Sequence, residues 1–260
     1  MNAVNQGVTA LGIKGRTGIL RLGACDAANR PSADMCDFSL TSWAFPLVAT
    51  NGVVLATEKK FSTSLTDPDS QSKISGITPN IGVTYAGMGP DFRILTDMAR
   101  QVTHRDYKRI YNEYPPTKIL AQDIARVVQQ ATQSPGVRPY GVSLLVAGWD
   151  DETETLSDGK PVPTKGGPTL YQVDPSGTYF SWKATAIGKN YSSAKTFLEK
   201  RCTDSLELED AIHIALLTLK ESIEGEMTGD SIEIGMFCAG IHRKQACFLK
   251  LQLTNSRVCT

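Results

Sequence analysis

The stretch Lys73–Val102, KISGITPNIGVTYAGMGPDFRILTDMARQV, changes its period midway, and that change decides the fold. Lys73 to Ile77 and Ile81 to Ala86 read as two strands joined by a turn at Thr78-Pro79-Asn80. Gly87-Met88-Gly89-Pro90-Asp91 then opens a helix, because proline suits a first turn and a carboxylate suits the positive end of the helix dipole. Phe92, Leu95, Ala99, Val102 and Ile110 fall on one helical stripe, which Tyr114-Pro115-Pro116 ends.

Downstream, Thr117 is placed to cap a second helix with the stripe Leu120, Ile124, Val127 and Ala131, stopped by Ser134-Pro135-Gly136. Strands return at Val142 to Trp149 and in a hairpin from Leu170 to Lys183, turned by Asp174-Pro175-Ser176-Gly177. Between them, Asp150 to Pro168 is polar and rich in Gly and Pro, and reads as a long surface loop. A third helix spans Asn190 to Arg201. A fourth spans Leu206 to Glu224, with Leu208, Ile212, Ala215, Leu219 and Ile223 on one face and Gly225 as its stop. Ile232 to Phe237 is a further strand. Upstream, Thr9 to Ile13 and Gly52 to Thr57 are strands, the second preceded by Thr50-Asn51-Gly52, and Asn-Gly is a strong hairpin signal.

The order is strands, two helices, strands, two helices, strand. Strands do not alternate singly with helices, which argues against a doubly wound parallel sheet. Two antiparallel sheets packed face to face, each covered outside by a helix pair, account for the order. The expected fold is therefore an α+β, four-layer αββα sandwich in a single domain over 1–260. Arg16 to Ala49 and Ala239 to Thr260 do not fit it. The first has no clear period and contains Pro31, Pro46 and Trp43; the second has apolar residues in a poor helical pattern.

Composition narrows the function. With 27 Lys+Arg against 27 Asp+Glu the formal charge is zero, so nothing marks a nucleic-acid or anionic-membrane binder. No apolar run is long enough to span a bilayer, and Met1 to Gly15 lacks the pattern of a secretory signal. Cys25, Cys36, Cys202, Cys238, Cys247 and Cys259 form no CxxC pair, and His104, His213 and His242 are not spaced with them as metal ligands. Free thiols in a reducing compartment are expected, with no metal and no cofactor.

Several stretches in register resemble the proteasome alpha-type family, and within it the alpha-2 type. They are Thr50-Asn51-Gly52-Val53-Val54-Leu55-Ala56-Thr57-Glu58-Lys59-Lys60, Gly87-Met88-Gly89-Pro90-Asp91 and Tyr111-Asn112-Glu113-Tyr114-Pro115-Pro116-Thr117. The resemblance continues through Gly136-Val137-Arg138-Pro139-Tyr140-Gly141, Trp182-Lys183-Ala184-Thr185-Ala186-Ile187-Gly188-Lys189 and Leu206-Glu207-Leu208-Glu209-Asp210-Ala211-Ile212. It covers Thr50 to Phe237, and Asn2 to Lys14 resembles the end of the family's first helix and its first strand. In the family that strand runs almost directly into the Asn-Gly turn. Residues 16–49 are thus an atypical insertion within the first hairpin, such as translated intron, and 239–260 are an atypical tail where the family has another helix.

The resemblance implies a non-catalytic subunit in a seven-membered alpha ring of the core (20S) proteasome, in cytoplasm and nucleus, where the ring gates substrate entry and docks regulatory particles in ubiquitin-dependent protein breakdown. Its partners would be other alpha subunits, beta subunits, and the C-terminal tails of regulatory particles or activators. A lysine in the family's tail pocket pairs with the tail carboxylate, and Lys73 in Ser72-Lys73-Ile74 matches it. The family's gating tail and most of its first helix would precede Met1, so no gate segment is expected from this chain. A defective or regulatory isoform, kept out of the ring by the insertion and the short N-terminus, is the alternative, and an N-terminal nucleophile hydrolase is a more remote one.

The related beta subunits are proteases with an N-terminal threonine whose free amine serves as base. Here Gly7-Val8-Thr9 would expose Val8 after Gly7, and Val8 has no hydroxyl. Asn51 stands where an aspartate is sought, and Asp67-Pro68-Asp69 where a lysine is sought. A catalytic Thr9 is therefore not expected. His213, beside Ile212 and Ile214, reads as a packed histidine rather than a base. Gly159-Lys160 and Lys165-Gly166-Gly167 lack the strand-to-helix frame of a phosphate loop, and Gly87-Met88-Gly89 is a helix entry. Asp150-Asp151-Glu152 reads as solvated loop.

Overall fold

The computed structural model describes residues 4, 9–16, 51–60, 65–67, 70–150, 153–157, 160–164, 166–202, 206–222, 231–238 and 247–251. Twelve strands are described: β1 (Ala10–Arg16), β2 (Asn51–Glu58), β3 (Ser75–Thr78), β4 (Ile81–Gly87), β5 (Val142–Asp150), β6 (Thr153–Ser157), β7 (Lys160–Thr164), β8 (Gly167–Val173), β9 (Tyr179–Ser181), β10 (Ala184–Ile187), β11 (Ile232–Cys238) and β12 (Cys247–Leu251). The longer helices are α1 (Gly89–Val102), α2 (Thr117–Gln133), α3 (Tyr191–Arg201) and α4 (Leu208–Ser222). One sheet has the order β10-β1-β2-β11-β12 and the other β3-β4-β5-β8-β9, with every pairing antiparallel.

The two-residue period of each strand sorts its side chains into layers. On β2, Val54 and Ala56 face α3 and α4 beside Leu198, Ala215 and Leu219. Val53 and Leu55 face the second sheet, among Leu145, Ala147, Leu170 and Phe237. On β5, Leu144 and Val146 point out to Leu95, Leu120 and Ile124 of α1 and α2. The three buried clusters thus stack as helix pair, sheet, sheet, helix pair, which is the expected αββα sandwich. A central strand buried on both faces needs a continuous apolar run, and that is why Val53-Val54-Leu55-Ala56 reads as it does.

Where the structure departs from the sequence reading, the causes are local. The α1 stripe holds for Phe92, Leu95 and Ala99, but Ile110 is 69% exposed. After Val102 the chain makes a π-helical stretch, Thr103–Lys108, before a last α turn at Arg109–Tyr111. Its wider turn rotates the following residues off the core face, which no 3.6-residue extrapolation anticipates. On α2 the buried face is Leu120, Ala121, Ile124, Ala125 and Val128, so Val127 and Ala131 lie at its margin. Thr117 does not cap α2 with its own side chain. Its N–H and hydroxyl both donate to Oδ1 of Asp150, at 2.8 and 2.7 Å, so the cap comes from a distant strand.

The surface loop expected from Asp150 to Pro168 contains a two-stranded ladder, β6 with β7. Asn51 and Gly52 do not form a turn. They begin β2 in the ladder with β1, opposite Arg16 and Gly15 respectively. The strand ends flanking residues 17–50 are therefore direct cross-strand neighbours. Most of the expected insertion and of the expected tail lies outside the described residues; β12, within the tail, pairs with β11 instead of forming a helix.

Candidate functional site

Lys73 lies in the segment that enters β3 from the surface, and two anchors hold that segment. Ile74 is 2% exposed in the core between the sheets. Glu233, on β11 of the other sheet, supplies the polar anchor. Its Oε2 accepts the Lys73 backbone N–H at 2.8 Å. The Ser72 hydroxyl lies 2.8 Å from Oε1 of Glu233 and 2.7 Å from the Ile74 carbonyl, and shares its proton between them.

The Lys73 side chain runs along the wall of a groove of about 380 Å³ lined by Lys60, Ser72, Tyr85, Gly89, Arg93 and Arg100 among others. Its Nζ is 5.5 Å from the centroid of the Tyr85 ring, which stacks on Phe92 at 4.2 Å. Burial pushes the Lys73 ammonium down to about 8, against the opposing pull of Glu58 and Glu233. At neutral pH it still carries a proton, and partial desolvation strengthens its pull on an anion. Burial also pushes the Tyr85 phenol up, so that ring stays neutral.

The opposite wall is the start of α1. A Cβ on Gly89 would stand 3.0 Å from the Tyr85 hydroxyl, so glycine lets the helix approach the ring. Asp91 fixes the helix entrance. Its carboxylate takes both terminal nitrogens of Arg138 at 2.7 Å and the Gly141 N–H at 3.0 Å. The groove therefore has a hydrogen-bonded floor and wall, a half-buried ammonium, further cations from Lys60, Arg93 and Arg100, and one carboxylate, Asp97, paired with Arg100. Chemically it suits a carboxylate on a short extended segment.

Glu58 and Lys73 come within electrostatic reach of each other, and the Glu58 N–H donates to the Thr9 carbonyl at 3.4 Å. What Thr9 lacks is a free amine to act as base: it follows Val8 in the chain, and its hydroxyl donates to the Lys189 carbonyl at 2.6 Å. Its nitrogen is a peptide amide without the basic lone pair that threonine activation needs.

His213 is exposed, not packed as expected, because it falls between Ile212 and Ile214 on the outer side of α4. Among the described residues no group of three or more His, Cys, Asp or Glu could hold a metal. Among them also, no helix is long and apolar enough to cross a membrane. Lys160 begins β7, which leaves no strand-to-helix junction there for a phosphate, while Gly159, Lys165, Asp151 and Glu152 lie outside the described residues. Glu58 and Glu233 are the residues that sequence reasoning missed. A lone carboxylate inside the apolar run Ile232–Phe237 was the available signal for Glu233, since a charge on a buried strand requires partners.

The profile of the family described as Proteasome subunit matches residues 44–237. A probable proteasome subunit alpha type-2 from Neurospora crassa is 62% identical over 236 residues, covering 91% of this chain and 76% of that protein. The proteasome subunit alpha type-2 of Saccharomyces cerevisiae is 52% identical over the same shares of each chain. The proteasome subunit alpha type-2-A of Arabidopsis thaliana is 57% identical over 187 residues, 72% of this chain and 73% of its own. With the sandwich, the groove and these matches together, the chain belongs to the proteasome subunit family, in its alpha-type branch.

Proposed function

We propose that this chain is a non-catalytic alpha-ring subunit of the core proteasome and that Lys73 receives the C-terminal carboxylate of an activator or regulatory tail. The single observation that carries the reading is the groove beside Lys73, with a protonated, half-buried ammonium held against Tyr85. That Val8 precedes Thr9, leaving its hydroxyl without a free amine as base, supports a structural and docking role over peptide-bond hydrolysis. Its partners in this reading are neighbouring alpha subunits, the beta rings and the docked particle.

The test of membership is a native gel of tagged chain from cells, overlaid with a fluorogenic peptide and probed for beta subunits. Comigration with the large peptidase band supports the proposal; a free monomer overturns it for this form of the chain. The docking role has its own test. In particles containing Lys73→Ala, a peptide with a free C-terminal carboxylate should bind about 10- to 100-fold more weakly, the range for a hydrogen bond to a charged group. The amidated peptide should be unaffected. Equal binding of both peptides by the unmodified particle would remove the docking role.

One observation favours a second reading, in which this form is kept out of the ring. Arg16 pairs with Asn51, so β1 and β2 need nothing between them but a short turn. Deleting 16–49 would leave Thr50-Asn51 as a two-residue loop closed by the existing Gly15–Gly52 pair. Loop-closure entropy falls by about 0.6 kcal/mol per halving of length, so about four halvings give roughly 2 kcal/mol of added stability. A melting temperature raised by roughly 4–8 °C is expected for a domain of this size. Should only the shortened chain enter the ring on the native gel, the segment is what excludes the longer form.

A further inference from the structure

We propose that Glu233 is a positioning residue for docking, whose buried carboxylate clamps the Ser72–Lys73 backbone and so presents the Lys73 ammonium to a peptide carboxylate. This rests on the docking role of Lys73 and adds a residue to it from the other sheet.

Glu233 is 1% exposed on a strand whose other side chains are apolar: Ile232, Ile234, Met236 and Phe237. By strand alternation it shares a face with Phe237, the side turned toward the second sheet. A carboxylate there costs desolvation energy that an apolar residue of similar size would not, so packing alone does not account for it. Two of the donors it takes, the Lys73 N–H and the Ser72 hydroxyl, belong to consecutive residues of the docking segment. The clamp therefore acts where the segment turns from the groove into β3. Ile74 secures the apolar side of the same turn.

The clamp has an electrostatic side as well as a mechanical one. Lys73 faces Glu58 from β2, Glu233 from β11 and Tyr85 from β4, while Arg93, Asp97 and Arg100 of α1 and Lys59 and Lys60 after β2 line the groove around it. Both glutamates favour the charged ammonium against burial. Removing the Glu233 charge therefore lowers the pH at which Lys73 loses its proton. A residue that only stabilised the fold would leave that pH where it is.

The test uses core particles carrying Glu233→Gln, which keeps the size and one acceptor but removes the charge. The probe is a fluorescein-labelled octapeptide with a free C-terminal carboxylate, beside its amidated twin. The carboxylate peptide is expected to bind about tenfold more weakly, the lower end for a charge-assisted hydrogen bond. Its binding should also fade at lower pH than the wild-type midpoint, set by a lysine titrating at about 8. On the full chain alone, acetylation of Lys73 near neutral pH, followed by mass spectrometry, should run severalfold faster in Glu233→Gln because more amine is neutral. A folded variant with unchanged affinity, pH profile and acetylation rate overturns the proposal. If Glu233→Gln fails to fold, Ser72→Ala decides: it removes one donor and keeps the charge, and a loss of about threefold in binding supports the clamp, while no loss overturns it. An unaltered carboxylate preference in Lys73→Ala particles would instead overturn the docking role, which separates that failure from a failure of the clamp.

Discussion

Phe237→Ala is expected to destabilise the chain by about 4 kcal/mol, the usual cost of deleting a buried phenyl ring. For a domain of this size that lowers the melting temperature by roughly 8–16 °C. Phe237 is fully buried between the sheets and touches the layer on which both depend. Its ring lies directly over Gly82 of β4: a Cβ there would stand 2.1 Å from Cζ. The two positions are one fitted pair, a ring from one sheet and a bare backbone from the other. Gly82→Ala alone should therefore be strongly destabilising, because the methyl would overlap a fully buried ring that must shift within a close-packed layer. In a Phe237→Ala background the same methyl enters the vacated space and should cost far less. Thermal melts of the four proteins form a double-mutant cycle, and additive effects would disprove the packing argument.

That pair shows why the sandwich was legible and its details were not. The alternation of apolar and polar residues along Ile81–Ala86 and the unbroken run Val53–Ala56 reveal which segments are strands and how deeply they lie, because burial on one face or two leaves its mark in the sequence. Nothing in Gly82 or Phe237 alone says that they meet, since pairing between sheets is a property of registers set far apart in the chain. The same limit explains Thr117, which looks like a cap but takes its cap from Asp150. It also explains Ile110, which a single π-helical stretch moves to the surface.

The site divides in the same way. Lys73 was named because its local sequence matches a family motif, a one-dimensional signal. Glu58 and Glu233 lie 15 and 160 residues from it and carry no motif of their own; sheet pairing brings them to it. The Asn51-Gly52 signal failed for the opposite reason. A turn residue pair makes a turn only when the strands it joins are adjacent in sequence, and 34 residues, 17–50, now stand between β1 and the pair. Asn51 and Gly52 extend the ladder instead.

Asp91→Ala is expected to cost about 2–3 kcal/mol, from the loss of charge-assisted hydrogen bonds and of a favourable charge at the start of α1. Asp91 is 3% exposed, whereas its partner Arg138 is open to solvent, so removing the carboxylate strands no buried cation. What is lost is the junction of Arg138, Gly141 and the helix entrance. The pH dependence follows from the same contacts. Arg138 foremost, with the Gly141 N–H, holds the Asp91 carboxyl below its ordinary value of 3.8 despite burial. The unfolded chain therefore takes up the proton first on acidification. The stability from Asp91 is complete above about pH 4 and is lost as pH falls below that toward the depressed folded value. Urea melts from pH 7 to pH 2.5 should accordingly show the wild-type advantage over Asp91→Asn shrinking only in the acid range. A constant difference across that range would mean that the carboxylate acts by shape rather than by charge. Because α1 forms the groove wall opposite Lys73, Asp91→Asn should also weaken carboxylate-peptide binding at neutral pH without moving the pH at which Lys73 titrates. That contrast separates a residue that holds the wall from one that tunes the lysine.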